Sequence, residues 1–214
     1  MNYLSDLMRA MDFDSLWGLL RRLTAVLLCL TVHETCHGLA AYALGDPTAK
    51  RQHRLSLNPL RHIDWFGFAM MLVAGFGWAK PVPVNPHYFK KPKQGMAVTA
   101  LAGPVSNLFL AVLLLIAARL AANAAPLWLL YFLLETSLLS VGLGLFNMLP
   151  IPPLDGSKVL FSLLPDRQYR WLMQYERYGF VLLLALSALG VGSTYLSRAI
   201  YAVFELLCRT VGLL

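Results

Sequence analysis

Long apolar runs alternate with short polar connections along this chain, and that pattern predicts membrane-spanning helices. A spanning helix needs about 20 predominantly apolar residues, and runs of that kind recur throughout the 214 residues. The predicted spans cover residues 16–44, 96–122 and 127–148 and two C-terminal stretches, YGFVLLLALSALGVG and LSRAIYAVFELLCRTVGLL. We therefore expect an all-α polytopic membrane protein with about five spanning helices.

A different pattern lies between the first two spans. Residues 65–79, WFGFAMMLVAGFGWA, are apolar but short, rich in glycine and flanked by basic residues on both sides. These features predict a re-entrant segment that dips into the membrane and returns on the same side. In the KPVPVNP sequence that follows, the prolines exclude a helix and favour a short extended edge.

Composition supports the bilayer as solvent. Hydrophobic residues make up 58% of the chain and charged residues only 14%, against about 25% charged residues in soluble domains. The net charge of +7 does not predict a nucleic-acid partner, because the basic residues cluster in short loops where the positive-inside rule accounts for them. The loop after the first span marks the cytoplasmic side through Lys50, Arg51, Arg54 and Arg61.

Three ionisable residues of the sequence HETCH lie inside the first apolar run, where lipid disfavours them. His33 and His37 are four residues apart, so on a helix they lie on one face about 6 Å apart along the axis. Glu34 lies on the adjoining face. This is the HExxH arrangement, in which two imidazoles bind zinc and a carboxylate transfers protons. The alternative is a helix whose polar residues form interhelical hydrogen bonds.

A catalytic zinc needs a third protein ligand and one open position for water. Asp155 is the best candidate, because the hairpin of the second and third spans returns it to the cytoplasmic side, where the histidines lie. Glu135, in the middle of the third span, is the rival, although the topology places it nearer the outer half of the membrane. Asp155 could also be an ordinary acidic turn residue before Gly156.

Six segments between residues 33 and 156 resemble, in order, the motifs of the site-2 protease family of intramembrane zinc metalloproteases. They are HETCH, GDPTA, RLSLNPLRHID, GWAKPVPVNP, AGPVSN and NMLPIPPLDG. The resemblance implies one Zn²⁺ per chain held by His33, His37 and Asp155, with Glu34 as the catalytic acid and base. The chain has no room for an inserted PDZ domain or an appended CBS domain, so it resembles the compact branch of that family.

The resemblance also suggests that Asn107 and Asn147 face the site and position substrate, with helix-end capping or interhelical hydrogen bonds as the alternative. Val82 and Val84, in the extended edge, are predicted to hold an unwound substrate by strand addition. The loop histidines His53 and His62 are expected to be solvated at the interface, and Cys29, Cys36 and Cys208 to be buried free thiols.

We expect a single domain over residues 1–214, because no repeat or long polar linker divides it. Residues 1–15 are predicted to be a retained interfacial segment, residues 16–156 the catalytic core, and residues 157–214 C-terminal packing helices. The predicted function is zinc-dependent cleavage of a transmembrane or membrane-proximal segment of another membrane protein, at the cytoplasmic side of a prokaryotic cell membrane. The sequence leaves open whether the protein forms a homo-oligomer.

Three alternative functions use the same residues. In a membrane metal or ion transporter, the His and Glu side chains would line an ion path. A non-catalytic scaffold is the second. In another family of HExxH membrane proteases the remaining ligand differs, so Asp155 would be dispensable.

Overall fold

The computed structural model describes residues 16–67, 70, 79–190 and 192–214. The predicted interfacial segment 1–15 and most of the predicted re-entrant segment therefore lie outside the described residues. The helices are α1 (Leu16–Ala43), α2 (Thr48–Arg51), α3 (Pro92–Ala121), α4 (Leu127–Asn147), α5 (Asp155–Ser162), α6 (Asp166–Ala188) and α7 (Ser193–Val211). Single 3₁₀ turns cover Pro59–Arg61 and Pro86–Tyr88.

Three of the described helices, α1, α3 and α4, are long and apolar enough to cross a membrane. They coincide with the first three predicted spans, except that α3 begins four residues early, at Pro92, because proline suits the first turn of a helix. The all-α membrane class is thereby confirmed. The two further predicted spans lie in α6 and α7, which do not meet the same standard of length and hydropathy among the described residues, since charged side chains occupy the first half of α6 and recur along α7.

Helix α3 lies at the centre of the fold, packed against α1, α4, α5 and α7. Where α3, α4 and α7 meet, a small apolar core is buried, made of Ala111, Leu115, Val141, Phe204 and Cys208. Large apolar side chains elsewhere on the three spans are exposed, as expected for surfaces that contact lipid. The buried polar residues of α1 and α3 lie outside this apolar core.

Small polar residues join α4 to α3. Ser137 Oγ donates to Ala111 O at 3.1 Å, and Ser140 Oγ donates to Asn107 O at 2.8 Å. Gly144 lies so close that an added Cβ would be 3.1 Å from Pro104 O. Small side chains and interhelical hydrogen bonds are what allow helices to associate closely in lipid. The close contact fixes the α3–α4 hairpin, and therefore the depth at which the chain re-emerges before α5.

The predicted extended edge is present as backbone but not as a strand of a sheet. Residues 80–85 have no regular secondary structure, and the described residues contain only one isolated antiparallel bridge, between Ile63 and Ala79. The extended stretch ends at Pro86, where a 3₁₀ turn begins with the Asn85 side chain accepting from His87 N–H. The segment lies beside α1, where Val82 N–H donates to the side chain of Glu34.

Candidate metal and catalytic site

The three predicted metal ligands converge on one point, although Asp155 is 118 residues from His37 in sequence. Asp155 Oδ2 lies 3.1 Å from His33 Nε2 and 3.2 Å from His37 Nε2. The two Nε2 atoms are 3.0 Å apart, and all three residues are buried. The helical spacing of the histidines and the return of the α3–α4 hairpin together produce this cluster.

The outer nitrogen of each imidazole has its own partner on α3. His37 Nδ1 donates to Thr99 O at 2.7 Å, which leaves its Nε2 with a free lone pair directed at the cluster. The Asn107 amide lies against His33 Nδ1 at 3.0 Å. Asn107 is completely buried, and among the described residues its Oδ1 has no hydrogen-bond partner. Exchanging the two ends of the amide would let Oδ1 accept from His33 Nδ1–H, and the oxygen and nitrogen of an amide are distinguished only by such networks.

The donor set fits zinc. With both ring protons on Nδ1, two Nε2 lone pairs and a carboxylate oxygen face one another without a proton between them, an arrangement that a cation stabilises. Ligands at about 2.0–2.1 Å around a tetrahedral Zn²⁺ lie about 3.3 Å apart, close to the 3.0–3.2 Å separations in this cluster. Partners on the outer nitrogen of each ligating histidine are likewise typical of zinc sites.

A glycine of α3 makes room for the imidazoles. A Cβ added to Gly103 would lie 2.5 Å from His37 Nε2 and 2.6 Å from His33 Cε1. Real carbon contacts are about 3.5–4.0 Å, so only glycine lets α3 pass this close to the Nε2 and Cε1 edges of the rings. The AGPVSN segment therefore contributes two features to the site, the close approach of its backbone to the imidazoles at Gly103 and the Asn107 amide.

Asp155 is the first residue of α5 rather than a loop residue. The next residue, Gly156, packs against the Met148 carbonyl so closely that a side chain there would overlap it. This contact folds the proline-rich connection back under α4 and turns the carboxylate toward α1. Burial raises the pKa of the Asp155 carboxyl, but an imidazole that carries its proton on Nε2 donates to Oδ2, outweighs burial and holds the pKa below its usual value. A cation in place of that proton would likewise favour the ionised carboxyl that metal binding requires.

Glu34 lines a cavity of about 350 Å³ together with the three clustered residues. Its Oε2 accepts from Val82 N–H at 2.9 Å, so the extended segment fixes the carboxylate at one edge of the cavity. Val82, Val84 and Asn147 also line this cavity. Asn147 Nδ2 donates to Leu143 O at 3.0 Å within α4, so both of its predicted roles, a helix-end hydrogen bond and a position at the site, are compatible with its place.

Three further residues that the sequence singled out lie outside the cluster and its cavity lining. Glu135, the rival ligand, accepts from Arg21 Nε at 2.7 Å, far along α4 from the cluster. His62, expected to be solvated, is 2% exposed, because its Nε2 faces Ser56 O at 2.7 Å inside the connection after α2. Asn107 lies behind His33 and is not part of the cavity lining.

Two other expectations have simpler outcomes. His53 is exposed, as predicted. All three cysteines are free thiols, but only Cys29 and Cys208 are buried, and Cys36 is half-buried.

Sequence reasoning missed the contributions of Thr99 and Gly103. Thr99 acts through its main-chain carbonyl, which carries no residue-specific signal. The signal for Gly103 was available, because a glycine within an apolar helix marks a close approach of another element.

The fold and the cluster define a class of protein, an integral membrane metalloendopeptidase. Residues 116–189 match the description "Peptidase family M50". The chain is 44% identical over 177 residues to "Putative zinc metalloprotease YwhC" of Bacillus subtilis (strain 168), a match that covers 78% of this chain and 80% of that protein. It is also 32% identical over 190 residues to "Putative zinc metalloprotease Rip2" of Mycobacterium tuberculosis (strain ATCC 25618 / H37Rv), covering 84% of this chain and 71% of that protein.

The protein belongs to Peptidase family M50, the site-2 protease family, which confirms the resemblance seen in its motifs. No solved structure matches the chain. The relatives support a peptidase rather than a transporter or a scaffold.

Proposed function

We propose that the protein is a zinc-dependent intramembrane endopeptidase that cleaves a transmembrane or membrane-proximal segment of another membrane protein. The observation that carries this proposal is the convergence of His33, His37 and Asp155 at 3.0–3.2 Å beside Glu34, among helices apolar enough to span a membrane. In this proposal the two imidazoles and the carboxylate hold one Zn²⁺. Asn107 and Thr99 orient the imidazoles from behind.

Held by His33, His37 and Asp155, a zinc ion would supply positive charge to polarise the scissile carbonyl and acidify a water molecule. Glu34 takes the proton from the attacking water and delivers it to the leaving amine nitrogen. The hydrogen bond from Val82 N–H holds the Glu34 carboxylate toward the cavity while it does so. Asn147, on the cavity wall, is placed to hydrogen-bond the substrate backbone.

A transmembrane helix satisfies its own backbone hydrogen bonds, so a substrate must unwind before its peptide bond is accessible. In the proposal, Val82 and Val84 pair with the unwound stretch and replace the hydrogen bonds lost from the helix. Among the described residues, Val84 N–H and Val82 C=O have no hydrogen-bond partner, which leaves them available. Val84→Pro tests this pairing, because it removes only a free donor, whereas Val82→Pro also removes the hydrogen bond to Glu34.

The site is proposed to open toward the cytoplasm. Lys50, Arg51 and Arg61 are exposed beyond the inner end of α1, as the positive-inside rule requires. Arg54 of the same loop is buried and donates to the backbone of segment 80–85. A cysteine placed at the exposed Gln52 should react with an impermeant maleimide only in inside-out vesicles, and labelling of intact cells would reverse the orientation.

The catalytic assignment is tested with Glu34→Gln and Asp155→Ala in purified protein, measuring bound zinc and the cleavage of single-span substrates. Glu34→Gln should retain zinc and lose cleavage, because it removes the proton acceptor and no ligand. Asp155→Ala should lose both. Full cleavage by Asp155→Ala would show that the third ligand lies elsewhere, and would favour another HExxH arrangement. Substrates should include candidates with and without a prior cut outside the membrane.

A further inference from the structure

The extended segment 80–85 has no sheet to hold it, yet it supplies the donor to Glu34. Among the described residues, one hydrogen bond between backbone groups ties it to a distant part of the chain, from Lys80 N–H to His62 O at 2.8 Å, and Asn85 O accepts from Tyr88 N–H in the turn that follows. Its remaining backbone hydrogen bonds there are made with three side chains, those of Glu34, Arg54 and Asp46. The last two lie outside the metal cluster and outside the lining of its cavity.

Arg54 holds the beginning of the segment. It is 8% exposed, and its guanidinium donates to Lys80 O at 2.6 Å and to Pro81 O at 3.3 Å. Among the described residues it makes no ion pair. A buried charge without a counter-ion is costly unless its hydrogen bonds are strong. The hydrogen bonds to these two carbonyls therefore offset part of the cost of burying the Arg54 charge.

Asp46 holds the end of the segment. It is completely buried, and Oδ2 accepts from Asn85 N–H at 2.6 Å. The other oxygen, Oδ1, accepts from Thr48 N–H at 2.9 Å and from the Thr48 hydroxyl. The carboxylate thus ties residue 85 to the first turn of α2, immediately after α1. Charge-assisted hydrogen bonds of this kind are about twice as strong as neutral ones.

Between the two anchors, the backbone of residues 82–84 makes no hydrogen bond with Arg54 or Asp46. Val82 N–H meets Glu34, and among the described residues Val82 C=O and Val84 N–H have no hydrogen-bond partner. In an extended chain, residues two apart present their N–H and C=O groups to the same edge, so Val82 and Val84 share one edge. This part of the edge, between the anchors, is the one that would meet substrate.

We infer that Asp46 and Arg54 are positioning residues that hold segment 80–85 at both ends, so that Val82 and Val84 present one backbone edge to the substrate strand. This inference rests on the proposed function, and in particular on strand pairing. Neither residue touches the metal cluster, so their loss should alter the use of substrate backbone hydrogen bonds and leave zinc content unchanged.

The test is a cycle between an enzyme variant and a substrate modification. Asp46→Asn keeps the size of the side chain but leaves one acceptor oxygen, which cannot serve both Thr48 and Asn85. The substrates are synthetic transmembrane peptides in which each backbone amide within three residues of the scissile bond is N-methylated in turn. The full-length enzyme in detergent micelles is assayed for kcat/KM and for bound zinc.

For wild type, N-methylation at the pairing position should reduce kcat/KM at least about tenfold, the effect of one lost hydrogen bond in a site that excludes water. Asp46→Asn should cleave the unmodified peptide at least about tenfold more slowly, with wild-type zinc content. Its discrimination against the methylated peptide should fall to nearly one, because the edge is no longer presented. Asp166→Asn, at an exposed Asp outside the site, should behave as wild type.

Two outcomes separate this inference from the proposal beneath it. If wild type cleaves every methylated peptide as fast as the unmodified one, strand pairing fails and the positioning role fails with it. If wild type discriminates and Asp46→Asn discriminates equally, strand pairing stands and only the role of Asp46 is refuted. Should Asp46→Asn not fold, Arg54→Lys and Arg54→Met replace it. Lysine keeps one donor, so Arg54→Lys should retain part of the discrimination against the methylated peptide, and Arg54→Met should retain none. Wild-type discrimination by both variants would refute the inference.

Discussion

Gly103→Ala is the sharpest single test of the metal site, because it adds one methyl group where α3 passes against both imidazoles. The new Cβ would lie 2.5 Å from His37 Nε2 and 2.6 Å from His33 Cε1. Ordinary carbon contacts are about 3.5–4.0 Å, so the rings must retreat by about 1 Å. A displacement of that size costs about a hundredfold in rate when it misplaces reacting groups.

We therefore expect Gly103→Ala to reduce kcat/KM at least about a hundredfold and to weaken zinc binding. Helix stability does not oppose this expectation, because replacing glycine by alanine within a helix stabilises the helix by about 1 kcal/mol. The variant should remain folded while its site is distorted. Zinc affinity is measured by competition with a chelator, cleavage with a single-span substrate, and folding by thermal unfolding in detergent.

Gly142→Ala on α4 is the matched control. Its added Cβ would make only one contact, 3.6 Å from Ile200 Cδ1, which is an ordinary distance. Zinc affinity and cleavage should match wild type. If Gly103→Ala also binds zinc and cleaves as wild type does, the two imidazoles do not lie against α3 in the functional enzyme, and the geometry of the cluster must be abandoned.

Two further predictions concern buried polar pairs. Glu135→Gln should lower the free energy of unfolding by about 3 kcal/mol, because the buried Glu135 carboxylate is the counter-charge of Arg21, whose side chain is only 12% exposed, and of Arg22. Glu205→Gln, in an exposed pair, should cost less than about 0.5 kcal/mol. Equal losses in chemical unfolding would contradict the burial of Glu135. Asn107→Ala should weaken zinc affinity about 10–100-fold by freeing the outer nitrogen of His33, and an unchanged affinity in chelator competition would show that the amide does not orient the ring.

Much of the fold followed from local pattern. Hydropathy predicted α1, α3 and α4 nearly to the residue, because a segment that spans lipid must be apolar over its whole length. The C-terminal helices were harder. Charged residues fill the first half of α6 and recur along α7, and hydropathy alone does not say whether such a helix crosses the membrane or lies against the protein.

The pairing of Arg21 with Glu135 was within reach of the sequence. Both residues were placed near the outer half of the membrane, and an intramembrane acid usually has a partner. Their predicted depth in the membrane already puts the two residues at the same level. It does not show that α1 and α4 pack side by side there, which depends on the close contact of α3 with α4.

The spacing of His33, Glu34 and His37 determined by itself that two ligands and a carboxylate share one region of a helix, because helical geometry acts over four residues. The return of the predicted hairpin, together with the family motifs, added Asp155 as an expectation. Only the tertiary structure decided that its carboxylate reaches the histidines, that Gly103 gives them room, and that Asp46 and Arg54 hold the segment carrying Val82. These contacts join residues far apart in sequence, and their distances are set by how closely helices pack, which no local pattern encodes.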